Sequence, residues 1–426
     1  MKVGLLGAGT VGGGVCEILQ LKAPFFKQQG IEFQITKICV RDAAKKRDFS
    51  LPEGCEVVTD PKAILDDASI DMVIELIGGV TVAKDVVMTA IAKGKHVVTG
   101  NKALIAAHLP EIQAALKEKP VFFGYEAAVC GGIPIIDTLA SSYVGDTITS
   151  IKGIMNGTTN FILSKMETEG AAYGDVLAEA QALGYAETPP DFDVEGWDAR
   201  SKLAILVKLA FGVFVPEENI ECNGITRVSS EDFKYAQLLN STVKILGVAN
   251  QEEDGSVSAY VSICIVPFTN QLSRVAGALN CVSVTSKNLS TCVYSGPGAG
   301  RFPTANSVVS DMAAIAKKGA PSGNPFVRDA EASFMPASRV GGPKMRFYIR
   351  FIIKDGLGIV RILGQLAEQN GISIHSMLQI PIIDSNRVPM VITTDPTSWH
   401  AVKKMGLDCE QQPFNLEPPL IMPLFD

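Results

Sequence analysis

Hydrophobic and polar positions in the first third of the chain alternate between short apolar runs and longer amphipathic stretches. The apolar runs at 72–76, 96–99 and 121–123 predict strands, and the stretches at 82–93 and 103–117 predict helices between them. Regular alternation of strand and helix is typical of a doubly wound parallel sheet with helices on both faces. The pattern therefore predicts an α/β protein that begins with a Rossmann-type sheet.

The predicted first strand runs into a glycine-rich turn, Gly-x-Gly-x-x-Gly, followed by apolar residues at helical spacing. The first glycine would permit a tight turn, the second the close approach of a pyrophosphate, and the third the packing of helix on strand. The phosphates would face the start of the helix, where backbone N–H groups are free. The predicted cofactor-binding residues of this turn are Gly7, Gly9, Thr10, Val11 and Gly12. A glycine-rich turn without a ligand is the alternative.

The predicted second strand, 33–40, ends in Arg41 and Asp42. An arginine at this place suits the 2′-phosphate of NADP, because its guanidinium pairs with phosphate through two hydrogen bonds. Asp42 leaves NAD as the alternative cofactor, because a carboxylate there accepts hydrogen bonds from the ribose hydroxyls. The nearby Lys46 and Arg47 are interpreted as a solvated helix face.

A second chemical signal is the run 187–202, which places several carboxylates and one lysine between Gly184 and the apolar stretch 203–209. Gly184 can end the preceding helix, and the apolar stretch predicts a buried helix. Asp198 and Lys202 are four residues apart and share one face of its first turns. A solvated ion pair is the plain alternative, but an apolar helix would carry the lysine inward, which favours catalysis.

Three further segments carry polar or glycine-rich patterns. The segment 99–102 follows a predicted strand, at the sheet edge where ligands bind in such folds. Lys102 is therefore a candidate for contacting cofactor or substrate, although a lone loop lysine is more often exposed. The segment 153–160 is a dense polar turn, and the glycine-rich segment 295–300 precedes another predicted helix and could return the chain to the cofactor.

Composition narrows the class of protein. The chain has 426 residues and a net charge of −7, with its basic residues scattered, which argues against nucleic acid as a partner. The nine cysteines are irregularly spaced and are interpreted as reduced apolar residues. No signal-peptide layout and no long apolar run is present, so we expect a cytoplasmic enzyme without a membrane partner.

Changes in pattern along the chain suggest its division into domains. Residues 1–130 form the predicted dinucleotide-binding domain, completed by 301–320. Residues 131–300 form a predicted α+β catalytic and dimerisation domain. Proline and glycine punctuate a predicted linker at 321–343, and 344–426 form a small βαβ-type module.

Together these residues resemble the homoserine dehydrogenase family over essentially the whole chain. The motifs that carry the resemblance are Ala180-x-x-x-Gly184 through Pro190-x-x-Asp193-x-x-Gly196-x-Asp198-x-x-x-Lys202, Gly153 to Asn160, Thr99-Gly-Asn-Lys102 and Ser295-Gly-Pro-Gly-Ala-Gly300. Pro189 departs from the family pattern, which usually has Asp, Asn or Ser there.

The resemblance implies reversible reduction of L-aspartate 4-semialdehyde to L-homoserine with NADP(H), and possibly NAD(H), in threonine, methionine and isoleucine biosynthesis. Glu187 and Asp193 would hold the substrate, with Glu187 suited to the α-ammonium group. Lys202 would donate a proton to the carbonyl oxygen, Asp198 would orient Lys202, and Lys102 would stand where cofactor and substrate meet. A carbonyl oxygen that gains negative charge needs such a positioned acid or cation.

The resemblance also implies groups that the residue pattern alone would not indicate. A monovalent cation, Na⁺ or K⁺, would bind the Glu126 carboxylate and backbone carbonyls of the segment that follows it. The implied metal-binding residues are Glu126, Val129, Gly131 and Ile133, and Gly298 is an implied cofactor contact. The assembly would be a homodimer or a homotetramer.

The C-terminal module resembles an ACT domain, a ββαβ-type fold that binds amino acids at its dimer interface. The match rests on Asp355 to Gly358 and on 372–379, and Leu357 replaces the usual proline. Threonine is the implied effector. His375 is interpreted as a packed strand residue rather than a ligand.

Two other function classes stay open at this point. Aspartate-semialdehyde dehydrogenase chemistry needs a thiolate nucleophile, and no cysteine lies beside Lys202 in the sequence. A non-catalytic NADP-sensing regulator would have no use for a catalytic lysine, which argues against that class.

Overall fold

The computed structural model describes residues 1–317, 332–381 and 384–425. The strands are β1 (Lys2–Leu6), β2 (Gln34–Cys39), β3 (Glu56–Val58), β4 (Met72–Glu75), β5 (His96–Thr99), β6 (Phe123–Gly124), β7 (Ile148–Ile154), β8 (Glu221–Cys222), β9 (Ser241–Gln251), β10 (Val257–Pro267), β11 (Leu279–Ser286), β12 (Ser290–Pro297), β13 (Phe334–Pro336), β14 (Lys344–Ile353), β15 (Ile374–Leu378), β16 (Val388–Thr394), β17 (Thr397–Ser398) and β18 (Asn415–Leu424). The helices are α1 (Thr10–Gln28), α2 (Lys62–Leu65), α3 (Thr81–Ala92), α4 (Lys102–Glu118), α5 (Ile135–Asp137), α6 (Gly157–Glu169), α7 (Tyr173–Ala182), α8 (Asp191–Val194), α9 (Trp197–Phe211), α10 (Ser230–Leu238), α11 (Arg301–Lys317), α12 (Ile359–Gln369) and α13 (Trp399–Glu410).

The N-terminal part forms a six-stranded sheet of order β3-β2-β1-β4-β5-β6, and every pair in it is parallel. Its central strands are buried on both faces, as expected of a sheet covered by helices on each side. The strand order reverses between β1 and β4, which is where ligands bind in open α/β sheets. The predicted Rossmann-type fold is confirmed.

Helix α11 brings a distant segment of the chain back to this sheet, where it packs against α1. The two helices approach closely because α1 has no side chain at two contact positions. A Cβ atom added at Gly14 would lie 3.0 Å from the Cβ of Ala305, and one at Gly13 would lie 2.9 Å from the Arg301 guanidinium. The end of the second sheet is thereby fixed beside the start of α1.

The second sheet is mixed and contains twelve of the described strands. Its centre is the antiparallel pair β9 and β10, which is in register over the full length of both strands and is almost entirely buried. Helices α6 and α9 pack against it, and α9 also contacts α4 of the first sheet. Helix α9 therefore joins the two sheets, in addition to α11.

The C-terminal module has the order β14-α12-β15-β16-α13-β18, with neighbouring strands β18-β14-β16-β15. Along this order it holds one helix and two strands more than the βαβ pattern that the sequence indicated. The module is not separate from the catalytic sheet, because β18 pairs with β10 at Leu424 and Ile265. The Trp399 ring also packs edge-on against Tyr260 of β10, with 5.1 Å between ring centroids.

The predicted linker at 321–343 lies partly outside the described residues, which resume at 332. In its described part, β13 pairs in parallel with β10, so this stretch belongs to the second sheet.

The structure also corrects the interpretation of His375 as a packed strand residue. Its ring is half exposed and lies 3.1 Å from the Asp395 carboxylate.

A buried polar cluster fastens the module to the catalytic part. The Asp232 carboxylate of α10 is fully buried and forms an ion pair with Arg350 of β14. It also accepts a hydrogen bond of 2.9 Å from the Tyr348 hydroxyl. Arg350 donates in addition to the Arg227 carbonyl at 3.0 Å. These contacts tie the segment of Arg227, helix α10 and strand β14 together.

In the described part of the chain, no helix is both long enough and apolar enough to span a bilayer.

Candidate active site

A cavity of about 660 Å³ lies where the two sheets meet. Its wall combines the start of α4, the turn between β7 and α6, the start of α9 and the loop after β12. The lining includes Gly100, Lys102, Cys130, Gly131, Asn156, Asp193, Asp198, Lys202, Asn280 and Gly298. The structure therefore brings together residues that lie far apart in the sequence.

Lys202 and Asp198 form the ion pair that their spacing on α9 predicts. Lys202 Nζ lies 2.7 Å from Asp198 Oδ2 and donates a second hydrogen bond of 2.7 Å to the Met155 carbonyl. Both side chains are nearly inaccessible to solvent. The alternative of a solvated ion pair is excluded by this burial.

The charges in this pair are fixed by their surroundings. Burial alone would raise the pKa of Asp198, but the charges of Lys202 and Lys102 outweigh it and lower the pKa to about 2. Burial alone would lower the pKa of Lys202, but the Asp198 carboxylate outweighs it and raises the pKa above the ordinary lysine value. An ammonium beside a carboxylate is therefore stable at neutral pH.

Lys102 approaches the other oxygen of the same carboxylate. Its Nζ lies 3.0 Å from Asp198 Oδ1, and its side chain is about one third exposed toward the cavity. The backbone before it is held by Asn101, which caps α4 at Leu104 and donates 2.7 Å to the Gly79 carbonyl. Asp198 is thus shared by two lysines, one on α4 and one on α9, and Lys102 is an ion-paired side chain rather than a free loop lysine.

Asn156 is a site residue that the sequence did not single out. Its Nδ2 donates 2.7 Å to Asp193 Oδ1 and 2.8 Å to Asp198 Oδ2, while its Oδ1 caps α6 at Thr159. The polar turn at 153–160 was the available signal. Burial raises the pKa of Asp193, and the nearby charge of Asp198 acts in the same direction.

Glu187 lies apart from these groups. Its residue is exposed, and it is not among the residues that line the cavity. Its backbone carbonyl accepts a hydrogen bond of 3.2 Å from Gln181 of α7. The structure therefore brings Asp193, but not Glu187, to the lysines.

The glycine turn after β1 has the shape that the motif predicts. Gly7 has a φ of 96°, and a Cβ atom there would lie 2.4 Å from the Leu76 carbonyl oxygen, so other residues are excluded. A Cβ at Gly12 would lie 2.1 Å from the Gly7 carbonyl oxygen. At Gly9, by contrast, no atom lies within 4 Å of the added Cβ. This open space at the start of α1 suits a pyrophosphate, whose charge the free amides of Thr10 and Val11 would meet.

Arg41 stands beside this turn, because β2 and β1 are neighbours and the Gly7 amide donates 3.0 Å to the Cys39 carbonyl. The Arg41 side chain is exposed. The Asp42 carboxylate instead accepts a hydrogen bond of 2.8 Å from the Ala44 amide. Both residues are exposed and neither forms an ion pair among the described residues; they differ in that the Asp42 carboxylate already accepts a local hydrogen bond.

The segment implied to bind a cation packs against the glycine-rich loop after β12. A Cβ at Gly131 would lie 2.6 Å from the Gly298 carbonyl oxygen, and the Gly131 carbonyl accepts 2.6 Å from the Ser307 hydroxyl. The Glu126 carboxylate is buried and accepts two backbone hydrogen bonds, of 2.9 Å from Ile136 and 2.7 Å from Asp137. Burial raises its pKa to about 7.

Cys130 is a cavity residue that the sequence did not indicate, because it lies far from Lys202 along the chain. It lies in the cavity wall, and the charge of Lys202 acts on its thiol. Burial nevertheless raises the pKa of this thiol, so it holds its proton at neutral pH and is a poor nucleophile. The chemistry of a thiolate-dependent dehydrogenase is therefore not supported.

Comparison with known proteins agrees with this geometry. The family model described as homoserine dehydrogenase matches residues 134–313, and that of the homoserine dehydrogenase NAD-binding domain matches residues 7–126. The homoserine dehydrogenase of Synechocystis sp. is 39% identical over 406 residues, which covers 93% of each chain. The chain belongs to the homoserine dehydrogenase family. The homoserine dehydrogenase of Bacillus subtilis is 38% identical, and the match covers 93% of this chain and 92% of the Bacillus chain.

Solved structures of the family share this fold, either over the whole chain or over part of it. A homoserine dehydrogenase from Thiobacillus denitrificans superposes with a TM-score of 0.91 at 36% identity and covers 100% of this chain and 98% of its own. A hyperthermophilic archaeal homoserine dehydrogenase in complex with NADPH has a TM-score of 0.61 at 26% identity and covers 75% of this chain and 99% of its own. As a homoserine dehydrogenase, the chain is an NAD(P)-dependent oxidoreductase that acts on a small molecule.

Proposed function

We propose that the cavity reduces the aldehyde of L-aspartate 4-semialdehyde to L-homoserine, and that the array Lys202, Asp198 and Lys102 carries the reaction. The observation that supports this most directly is the placement of two ammonium groups on the two oxygens of one buried carboxylate. The bound nicotinamide supplies the hydride. Reduction of NADP⁺ upon addition of L-homoserine tests the reaction in its reverse direction.

Lys202 serves as the acid of this reaction. Its Nζ donates a proton to the aldehyde oxygen as the carbonyl carbon receives hydride, so no alkoxide accumulates. Asp198 and the Met155 carbonyl hold that Nζ in place, because each accepts one of its hydrogen bonds. Lys102 adds a second positive charge beside the developing oxyanion.

Asp193 holds the substrate in this proposal. Its carboxylate lines the cavity and has Asn156 as its hydrogen-bond donor, which leaves lone pairs for the α-ammonium group. Glu187 is assigned the same type of contact by the family resemblance. Because Glu187 is exposed, it can make this contact only if the loop 187–190 moves inward.

The cofactor is proposed to be NADP(H), with NAD(H) as a second choice. Gly7, Gly9 and Gly12 form the cradle for the pyrophosphate, and Arg41 reads the 2′-phosphate from the end of β2. Gly298 lines the cavity that also contains Lys102 and Lys202, and it would contact the cofactor there. The archaeal relative that was solved with NADPH supports this choice.

Arg41→Ala is expected to lower the ratio of kcat/KM for NADPH to kcat/KM for NADH by about 10- to 150-fold, because a charge-assisted contact to phosphate is worth about 1.5–3 kcal/mol. Steady-state kinetics with both cofactors measures the ratio. Lys46→Ala is the matched control, since Lys46 is an exposed cation on the same loop. A ratio that stays unchanged in Arg41→Ala would remove Arg41 from the phosphate site.

A monovalent cation is proposed to bind at Glu126, Val129, Gly131 and Ile133. The donor set fits, because it consists of oxygens, which hard cations prefer. Within the described residues, no cluster of three or more His, Cys, Asp or Glu side chains is placed to hold a metal. A single buried carboxylate suits one positive charge, and the cation would balance its negative charge.

Glu126→Gln is expected to flatten the dependence of stability on pH. In the folded protein the pKa of Glu126 is about 7, above the value of roughly 4.3 in an unfolded chain. Between these values the folded state holds a proton that the unfolded state has lost, so the free energy of unfolding of the wild type falls as pH rises. Urea unfolding between pH 5 and about pH 8 measures this.

The same variant tests the cation. At the upper end of this pH range, KCl or NaCl should stabilise the wild type more than choline chloride does at equal ionic strength, and Glu126→Gln should lose that difference. Equal stabilisation of the wild type by all three salts would contradict the cation site.

We further propose that residues 344–426 form an ACT-like domain with threonine as its effector. The alternating β-α-β-β-α-β order of the module supports this, together with an exposed polar group in which Asp395 accepts 2.7 Å from the Ser373 hydroxyl and contacts His375. A homodimer or homotetramer is the proposed assembly. The proposed domain division is 1–130 with 301–320, then 131–300, then 344–426.

A further inference from the structure

Arg301 connects three segments that border the proposed cofactor site. It follows the glycine-rich loop 298–300 directly and begins α11. Its Nε and Nη2 donate 3.2 Å and 3.1 Å to the two carboxylate oxygens of Glu17 on α1. Its Nη1 donates 2.5 Å to Asp48, in the loop that follows β2. One guanidinium therefore bridges the helix of the glycine turn and the loop that begins with Arg41.

The loop 41–49 has few other attachments to the rest of the molecule. Its own hydrogen bonds are internal, such as those from Arg47 Nη1 to the Lys45 carbonyl at 2.8 Å and from Arg47 Nη2 to the Asp42 carbonyl at 2.9 Å. At its far end, the Phe49 ring lies where a side chain at Gly13 would be, 2.7 Å from an added Cβ. Asp48 and Phe49 thus dock the end of the loop on α1, next to Arg301.

The guanidinium is committed to these partners. Three of its nitrogens donate to carboxylates, and the two-point contact with Glu17 fixes the plane of the group. Its side chain is only 19% exposed, whereas that of Asp48 is 75% exposed. The geometry suits an anchor that holds Asp48, rather than a group waiting for a phosphate.

We propose that Arg301 is a positioning residue for cofactor choice: through Asp48 it fixes the loop 41–49, and so the place at which Arg41 meets the 2′-phosphate. This inference rests on the cofactor site proposed above. Fixing the loop in advance removes the cost of ordering it when NADP(H) binds. NAD(H) lacks the 2′-phosphate and gains little from the same order.

The test compares NADP⁺ with NAD⁺ in homoserine oxidation by the full-length enzyme. Arg301→Gln and Asp48→Asn should each lower the ratio of kcat/KM for NADP⁺ to that for NAD⁺ by about two- to fivefold, the range expected of a partly exposed ion pair. The change should lie in KM for NADP⁺, with kcat and KM for homoserine unchanged. The double variant should be no worse than either single variant, because both remove one contact. Lys317→Gln, an exposed cation at the other end of α11, is the control.

The sign of the Asp48→Asn effect separates this role from a direct one. If Arg301 itself bound the phosphate, removing Asp48 would free its guanidinium and raise the preference for NADP⁺, which would overturn the inference. Unchanged ratios, or equal losses with both cofactors, would overturn it as well.

Failure of the underlying cofactor site gives a different result. If Arg41→Ala loses its preference for NADP⁺ and the Arg301 and Asp48 variants keep theirs, only the positioning role of Arg301 is contradicted. An unchanged ratio in Arg41→Ala, with a lowered ratio in the other two, removes Arg41 as the group that is positioned.

Discussion

Lys202→Ala is expected to lower kcat by about two to four orders of magnitude while leaving the binding of NADPH intact. The lysine Nζ is the acid that the reacting oxygen would meet, whereas the glycine turn that holds the pyrophosphate lies at the start of α1. The fold should survive, because Asp198 keeps Lys102 at 3.0 Å and Asn156 at 2.8 Å as partners. Steady-state kinetics and fluorescence titration with NADPH measure the two effects.

Lys208→Ala provides the control for this variant. Lys208 is a second buried lysine of α9, and its Nζ donates 2.8 Å to the Gly212 carbonyl, away from the cavity lining. Its loss should change stability and leave kcat near the wild-type value. Near-normal turnover of Lys202→Ala would instead show that another group supplies the proton.

The raised pKa of Lys202 predicts how the reaction rate depends on pH. Lys202 remains an ammonium through the neutral range, which suits proton donation to the aldehyde. Oxidation of homoserine needs the unprotonated amine, so its rate should rise with pH as the amine becomes more populated. In Lys202→Ala this rise should disappear.

Arg350→Met is expected to lower the free energy of unfolding by about 3–5 kcal/mol, because it leaves the buried Asp232 carboxylate without its cation. The pair is almost fully buried, with side-chain exposures of 6% and 0%. Urea denaturation of the full-length chain, followed by circular dichroism, measures the loss.

Two further variants define the origin of that loss. Adding Asp232→Asn to Arg350→Met should restore much of the stability, since the uncompensated charge is then gone. Arg387→Met, which breaks a half-exposed pair with Glu417, should cost about 1 kcal/mol or less. If Arg350→Met were as stable as Arg387→Met, the cluster would not be what fastens the C-terminal module to the catalytic part.

The pattern of the N-terminal part predicted its structure well, because strands and helices of a parallel sheet follow one another locally. The run 96–99 and the glycine turn before α1 each contain their own signal. The helix that contains Lys202 was equally visible, since its stretch 203–211 is apolar apart from Lys208, and thirteen of its fifteen residues are buried. The pairing of Asp198 with Lys202 followed from helical spacing alone.

Other parts of the site depend on contacts across the chain. Asn156 meets Asp198 over a separation of 42 residues, and nothing in its own turn indicates which carboxylate it will face. Cys130 is still more remote from Lys202 in sequence, yet it lines the same cavity. Glu187, which begins the run 187–202, is exposed, although Asp193 of the same run lines the cavity.

The sequence by itself determined the α/β class, the Rossmann-type sheet, the glycine cradle and the lysine–carboxylate pair on α9, because each is encoded by spacing within one or two elements. Only the tertiary structure decided that Lys102 shares Asp198, that the C-terminal module is hydrogen-bonded to β10, and that Arg301 reaches Asp48. These contacts join residues that are from 96 to 253 positions apart, and local periodicity carries no information about them. They are decided instead by the burial of whole faces, which fixes how the two sheets and their helices meet.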